Sequence, residues 1–206
     1  MKILIALCAT SALLAGCGGG GDSSPEAAPA PSPLAAYAGV WQSDCDHRGH
    51  ETLTFTPGAN GTSLEVSSKS EYFSGVDCTG NVLLTMTSSA NSMASYTGTV
   101  DASVQLSADS TPSAIKVDKV STSSPALTLQ GTGPAVVYSI KDGMRQWCFD
   151  AGNGSTVCSM DNGAPPESGI HPAATVAGGL YLRGNQLFLL KASGSSFVID
   201  LMYTKK

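Results

Sequence analysis

Short runs of alternating apolar and polar residues, rich in Val, Thr, Tyr and Phe, follow one another through most of the chain beyond residue 52. Successive side chains of a strand point to opposite faces, so a period of two predicts strands, and the Gly, Ser, Asn and Pro residues between the runs predict turns. No stretch sustains the helical period. The predicted strands are 53–56, 63–67, 82–87, 95–101, 114–120, 126–129, 135–140, 145–149, 155–159, 179–183, 186–190 and 197–203.

Two features refine this pattern near the C-terminus. Gly184-Asn185 predicts a tight hairpin between strands 179–183 and 186–190, because glycine readily adopts the positive φ of such a turn. In the last strand, alternation predicts that Phe197, Ile199, Leu201 and Tyr203 share one face. The proline-rich residues 161–177 predict a long loop.

The predicted fold class is therefore all-β. About ten to twelve short antiparallel strands without an internal repeat indicate a closed antiparallel β-barrel or a two-layer sandwich. A closed barrel leaves no edge to protect, which matters because few charged residues guard these strands.

The N-terminus has a different composition. One charge, Lys2, precedes an uncharged and largely apolar run from residue 3 to residue 14. This run is shorter than the roughly 20 residues that span a bilayer, and it predicts a secretory signal peptide. Residues 18–33 are mostly Gly, Ser, Ala and Pro, which cannot build a core and indicate a flexible tether. The chain thus divides into a signal peptide (1–16), an anchor and tether (17–34) and one all-β domain (35–206).

The end of the signal peptide, Leu14-Ala15-Gly16-Cys17, resembles the cleavage motif of bacterial lipoprotein precursors. The resemblance implies that Cys17 carries a diacylglyceryl thioether and an N-acyl group, which together anchor a protein stably. In these lipoproteins an Asp after the cysteine favours the inner membrane. Gly18 stands there in this chain, so the resemblance implies the cell outer membrane, with the domain facing the periplasm or the cell surface.

Six cysteines include Cys8, which leaves with the signal peptide, and Cys17. The four that remain predict two disulfides in an oxidising compartment. Three pairings are open in principle. The symmetric spacing of Cys148 and Cys158 about residue 153 favours a pair across a hairpin, which leaves Cys45 with Cys78.

Near the start of the domain, Gly39-Val40-Trp41 resembles the Gly-x-Trp element of the first barrel strand in lipocalin-like proteins. The resemblance implies a β-barrel in which Trp41 closes one end. In that family an arginine from a late strand packs on the tryptophan, and Arg183 is the candidate for this role.

Candidate chemistry is sparse. The densest polar segment, residues 44–51, contains His47 and His50, but His-x-x-His without a helix has no fixed geometry, so we interpret it as a solvated loop rather than a metal site. His171 is interpreted as a loop residue. No Gly-x-Ser-x-Gly motif or carboxylate pair indicates catalysis, and no cofactor motif is present, so we expect a protein that is not an enzyme.

The formal net charge of -5 disfavours nucleic acid as a partner, since phosphate contacts need clustered Lys and Arg. The lipocalin-like resemblance, together with alternate apolar residues that would line the lumen, implies that the domain binds a small apolar ligand in the barrel or serves an envelope role, while its lipid anchor contacts the membrane. The alternative is a protein-binding module, similar in general form to lipoprotein inhibitors of basic host lysozymes, in which a protruding 161–177 loop contacts the partner.

Overall fold

Antiparallel strands dominate the computed structural model, which describes residues 32–107, 110–152, 154–161, 163, 168–194 and 196–206. A 3-10 helix at Ala35–Tyr37 precedes the first strand. The all-β class is confirmed. The strands are β1 (Gly39–Ser43), β2 (Gly49–Pro57), β3 (Ser63–Phe73), β4 (Val82–Ser88), β5 (Ser92–Val104), β6 (Ser113–Ser124), β7 (Leu127–Thr132), β8 (Val137–Lys141), β9 (Met144–Asp150), β10 (Thr156–Asp161), β11 (Ile170–His171), β12 (Ala174–Arg183), β13 (Gln186–Ser193) and β14 (Ser196–Lys205).

Eight strands of the larger sheet close into a ring in the order β3-β2-β1-β14-β13-β12-β6-β5, because β5 also pairs with β3. Strand β3 is long enough to pair with two different strands along the edge opposite β2. Its residues 63–66 pair with β5 and its residues 69–73 pair with β4. Strand β4 continues the sheet outside the ring, through β7 to β11.

Side chains fill the ring interior, and every strand of the ring supplies at least one. Leu34 and Tyr37 enter from the N-terminal 3-10 helix, which is fixed because the Trp41 indole Nε1 donates a hydrogen bond to the Tyr37 carbonyl at 2.7 Å. Burial of this apolar surface is the main favourable term for the ring. The strand residues of this cluster are Trp41, Leu53, Phe55, Leu64, Ala94, Val120, Leu180, Leu187 and Tyr203.

A second, three-stranded sheet has the order β10-β9-β8. Trp147 and Phe149 of β9 pack with Leu84 and Met86 of β4 in a separate apolar cluster. The sheet is therefore attached to the extension beyond the ring, and not to the ring interior.

Both predicted disulfides are confirmed, Cys45 with Cys78 and Cys148 with Cys158. Cys148 and Cys158 lie directly opposite each other in β9 and β10. The predicted hairpin at residues 184–185 is also present, and Arg183 pairs with Gln186 across it.

The predicted common face of the last strand is wrong. The pairing of β13 with β14 shifts register between Leu189 and Leu190, and Asp200 is the extra residue. A bulge of this kind reverses the alternation beyond it. Phe197 and Ile199 consequently pack with a third apolar cluster, whereas Tyr203 belongs to the ring interior and Leu201 is exposed.

The predicted 161–177 loop is also partly wrong. Ile170–His171 forms β11 against β7, and residues 174–177 pair with β6 as the first part of β12. Residues 162 and 164–167 lie outside the described part. Within the described residues, no helix is long and apolar enough to cross a bilayer.

Candidate functional site

Strands β5 and β14 each keep one edge open over part of their length. Strand β1 pairs only with residues 203–205 of β14, and β3 pairs only with residues 92–95 of β5. Among the described residues, the rest of β14 has a ladder partner only in β13, and the rest of β5 only in β6. An open edge presents unpaired backbone N–H and C=O groups.

The two open edges meet at one point without forming a ladder. The Ser196 hydroxyl Oγ donates a hydrogen bond to the carbonyl of Ser103 at 3.2 Å. Beneath this contact lies the third apolar cluster, on the opposite face of the sheet from the ring interior, which is built around Val104, Val117 and Phe188. The edges therefore border an apolar floor.

A groove of about 630 Å³ opens between β14 and the connection from β5 to β6. We call it the β5–β14 groove. Its volume lies within the range of roughly 300–1,000 Å³ that is typical of small-molecule sites. Among the described residues, the groove is lined by the uncharged polar residues Ser103, Gln105 and Ser107, and by the apolar residues Leu106, Pro112, Phe197, Val198, Ile199 and Met202.

The ring interior offers less room. Trp41 and Tyr203 are almost completely buried in it. A second cavity of about 350 Å³ adjoins the interior at Val120 and Leu180, and its lining includes the charged residues Lys191 and Asp200. The larger space, whose lining among the described residues is uncharged, thus lies outside the ring, and not in the lumen where the sequence places a ligand.

Trp41 is buried as the resemblance implies, but Arg183 does not pack on it. The Arg183 guanidinium lies 5.2 Å from the ring centroid of Phe188, and its Nη2 donates to the Gln186 Oε1 at 2.9 Å. The predicted role of Arg183 is therefore wrong. Gly39, which precedes Trp41 by two residues, has a φ of 125°, a conformation that glycine adopts without strain.

The segment 44–51 is only partly the loop that the sequence predicts, because Gly49 to Glu51 begin β2. The two histidines do not converge. His47 is exposed and its Nδ1 lies 2.5 Å from the Asp46 carboxylate, whereas His50 is largely covered and its Nε2 lies 3.7 Å from the Glu71 carboxylate. Burial lowers the pKa of His50, against a smaller opposing effect of Glu71.

Two inward tyrosines hydrogen-bond to carboxylates. The Tyr37 hydroxyl donates to Asp118 at 2.7 Å, and the Tyr203 hydroxyl donates to Glu51 at 2.7 Å. Burial, reinforced by these hydrogen bonds and charges, raises the pKa of both phenols. Each tyrosine is therefore held in its neutral, donating form.

One polar cluster escapes prediction from the sequence. Asp161 is fully buried, and its Oδ1 lies 2.6 Å from the His171 Nε2 and accepts a hydrogen bond from the Gly163 backbone N–H at 3.1 Å. The Asp161 Oδ2 lies 3.8 Å from the Arg145 Nη1 and has no hydrogen-bond donor among the residues that the structure describes. His171 lies in β11, and the interpretation as a loop residue is wrong.

No three His, Cys, Asp or Glu side chains come together as a potential metal site within the described residues. Comparison of the whole chain with protein-family models, curated proteins and solved structures finds no match.

Proposed function

We propose that the domain binds a small apolar ligand in the β5–β14 groove without converting it, and that lipid on Cys17 holds the protein at the outer membrane. The groove carries this proposal, because it combines a volume of about 630 Å³ with a lining of mostly apolar side chains. Half-buried Phe197, Ile199 and Met202 stand at its surface. A ligand that covers them removes apolar surface from water, which favours binding.

The occupant is a small molecule rather than an inserted strand. A strand that paired with both edges would need about 9.6 Å between them, which is two spacings of about 4.8 Å. The hydrogen bond from Ser196 to Ser103 holds the edges together at one end. A slender apolar chain fits beside this contact, whereas a peptide backbone would have to break it.

Binding is tested with a neutral fluorescent probe, N-phenyl-1-naphthylamine, and by native mass spectrometry of protein purified from its own envelope. We expect saturable enhancement of the probe's fluorescence and a co-purified apolar molecule. Ser103→Phe places a ring in the groove and should abolish enhancement. Ser95→Phe is the matched control, because Ser95 lies on the same strand, is also exposed and does not line the groove.

The two substitutions decide where the probe binds. If Ser103→Phe and Ser95→Phe lose the fluorescence enhancement equally, and circular dichroism shows that both are folded, the groove is not the binding site. Enhancement that survives Ser103→Phe but is lost when the ring-side cavity is filled by Ala177→Phe would show that the probe binds in the smaller cavity instead.

The alternative function, binding of a protein, is favoured by the edge of the smaller sheet. Strand β8 is one of its two edge strands, and Val137, Tyr138 and Ile140 are all exposed there. An apolar edge can accept a strand from another chain. The test is titration of a basic lysozyme. Complex formation that Ile140→Lys abolishes would support this alternative, and failure to bind would remove it.

A further inference from the structure

Strand β8 is an edge strand without the features that usually protect an edge. Among the described residues its ladder partner is β9 alone, and this pairing runs from Val137 to Lys141 without a bulge. Val137, Tyr138 and Ile140 are 63%, 49% and 54% exposed. Lys141, at the last position, is the one charged residue of the strand. A regular and apolar edge of this kind can pair with another chain.

The other open edges in the described part of the chain are less suited to such pairing. The pairings of β5 with β6 and of β13 with β14 each contain a register shift. Strand β11 has only two residues. Strand β10, at the opposite edge of the smaller sheet, is joined at its end to β11 by the contact between Asp161 and His171. Strand β8 is therefore the edge along which a regular ladder can continue.

The turn after β8 determines which backbone groups of the strand are free. Lys141 pairs with Met144 across the two-residue turn 142–143, in which both residues have a positive φ. A hairpin of this type closes on a hydrogen-bonded pair, and hydrogen-bonded pairs alternate along an antiparallel ladder. The N–H and C=O groups of Tyr138 and Ile140 consequently point away from β9.

We propose that β8 pairs with β8 of a second copy of this chain, antiparallel and centred on Ser139. This register places Tyr138 of each copy opposite Ile140 of the other, so that the free N–H and C=O groups of both residues bond across the interface. It pairs the whole strand, whereas a register centred on either neighbour of Ser139 leaves part of the strand unpaired. The two small sheets then form one continuous sheet. This proposal is independent of the β5–β14 groove.

The side chains that meet in this register fit each other. Tyr138 beside Ile140 of the second copy is a pair of an aromatic and a β-branched residue, a combination that stabilises antiparallel sheets. Two-fold symmetry forms the pair twice. The Tyr138 ring is also supported from its own sheet, because the Arg145 guanidinium lies 5.5 Å from its centroid.

The charges of the hairpin favour the antiparallel arrangement. Lys141 ends β8 beside the turn, and Asp150 ends β9 at the far end of the same hairpin, where both are exposed. Pairing about Ser139 brings the Lys141 end of each copy to the Asp150 end of the other, and it separates the two lysines by roughly 13 Å along the strands. Asp142 lies in the turn, beyond the paired residues. A parallel pair would place the lysines side by side, which is unfavourable.

The interface is small. A pair of strands of 5 residues each falls below the roughly 800 Å² per partner of a standard stable interface, so we expect a dimer that dissociates on dilution. Covalent trapping is therefore the most sensitive test of the register.

A cysteine on the two-fold axis should trap the dimer. The test uses the full chain with Cys8→Ser and Cys17→Ser, so that the engineered thiol is the one outside the two disulfides. Ser139→Cys places two thiols opposite each other. Lys141→Cys is the matched control, because Lys141 is more exposed than Ser139 and lies on the same face, but its counterpart is roughly 13 Å away, which is too far for a disulfide. We expect mild oxidation to crosslink Ser139→Cys severalfold more than Lys141→Cys.

Sedimentation of the unsubstituted chain tests the same edge without a crosslink. We expect its average mass to rise towards that of a dimer between micromolar and millimolar protein. Ile140→Lys places a cation beside Tyr138 of the second copy and should abolish this rise. Val76→Lys is the matched control. Val76 is 70% exposed in the connection between β3 and β4, so the same change of charge there should leave association unaltered.

The outcomes separate this proposal from the others. Equal crosslinking of the two cysteine variants, or crosslinking of neither, would overturn the pairing of β8 with itself. A chain that stays monomeric at millimolar concentration, but binds a basic lysozyme unless Ile140→Lys is present, would assign the edge to a different protein and also overturn it. Neither result bears on the β5–β14 groove, which the fluorescent probe measures separately.

Discussion

Lys205 packs over the indole of Trp41, with its Nζ 5.2 Å from the ring centroid. The two residues are direct partners in the pairing of β1 with β14. A cation–π contact therefore links β1, the first strand of the ring in the sequence, to β14, the last one. Arg183 lies over Phe188 instead. The cation that contacts Trp41 is therefore Lys205 of β14, and not Arg183.

Lys205→Met tests this contact. It removes the cation and keeps much of the aliphatic stem, so we expect the free energy of unfolding to fall by about 0.5–1 kcal/mol. Trp41 and Trp147 are the only tryptophans, so a Trp147→Phe background isolates the Trp41 fluorescence, which should shift in Lys205→Met. Arg183→Met is the control and should leave that emission unchanged. An unchanged spectrum in both variants would show that Lys205 does not act on the indole.

Local patterns are sufficient to predict several parts of the fold. The Gly184-Asn185 turn lies between two alternating runs, so its hairpin depends on near neighbours only. The pair Cys148 and Cys158 follows from a spacing of ten residues across one hairpin. The order of strands in the ring is not local, because β1 lies beside β14 at the other end of the chain.

The groove could not be predicted from alternation, since it depends on one extra residue. The bulge at Asp200 turns Phe197 and Ile199 away from the ring interior and towards the third cluster. A sequence read with an uninterrupted period of two places them inside. The open edge of β14 likewise arises because β1 is too short to cover it. The open edge of β5 arises because only residues 63–66 of β3 pair with β5, whereas residues 69–73 pair with β4.

The contact between Asp161 and His171 also cannot be predicted from a local pattern of residues. Nine residues lie between them, two of which are prolines, and no sequence periodicity connects a strand end to a two-residue strand. An isolated histidine beside a proline carries no signal of its own.

His171→Ala should destabilise the fold through the carboxylate that it leaves behind. Asp161 is fully buried, and without His171 its oxygens retain the Gly163 N–H and an arginine at 3.8 Å. A hydrogen bond to a charged group contributes about 1.5–3 kcal/mol, so we expect a loss of that size in urea unfolding. His47→Ala is the control, because His47 is exposed, and it should cost less than about 0.5 kcal/mol. Equal costs would contradict a stabilising role for the contact.

Stability should fall as the pH rises above about 10, the ordinary pKa of tyrosine. Burial raises the pKa of Tyr37 and Tyr203, so the folded state keeps protons that the unfolded state releases. The stabilisation is complete below the unfolded pKa and is lost towards the folded pKa. Urea unfolding between about pH 8 and about pH 11 measures this slope.

Tyr203→Phe removes one of these protons and should flatten the alkaline slope. Tyr138→Phe is the control, since Tyr138 is 49% exposed and lies outside the ring. It should retain the slope of the unsubstituted protein. A slope that Tyr203→Phe leaves unchanged would show that this phenol does not link stability to alkaline pH.

The two disulfides should differ in their contribution to stability. Cys45 and Cys78 are separated by 33 residues, and Cys148 and Cys158 by 10. If the crosslinks act by restricting the unfolded chain, the longer loop is worth about 4 kcal/mol and the shorter about 3 kcal/mol. Urea unfolding of the two double-serine variants measures both costs. A larger cost for the Cys148–Cys158 pair would show that native packing, and not loop length, determines them.

Lipid attachment to Cys17 predicts a sharp difference between two neighbouring cysteines. Cys17→Ser should abolish incorporation of an alkyne-labelled fatty acid and release the protein from the membrane fraction, because a single exposed tether cannot hold it there. Cys8→Ser is the matched control, since Cys8 lies in the predicted signal peptide and should be absent from the mature protein. The domain's own fold should be the same in both variants, so loss of ligand binding is not expected in either. Labelling that persists in Cys17→Ser, or an intact mass that retains residues 1–16, would overturn both the anchor and the proposed outer-membrane location.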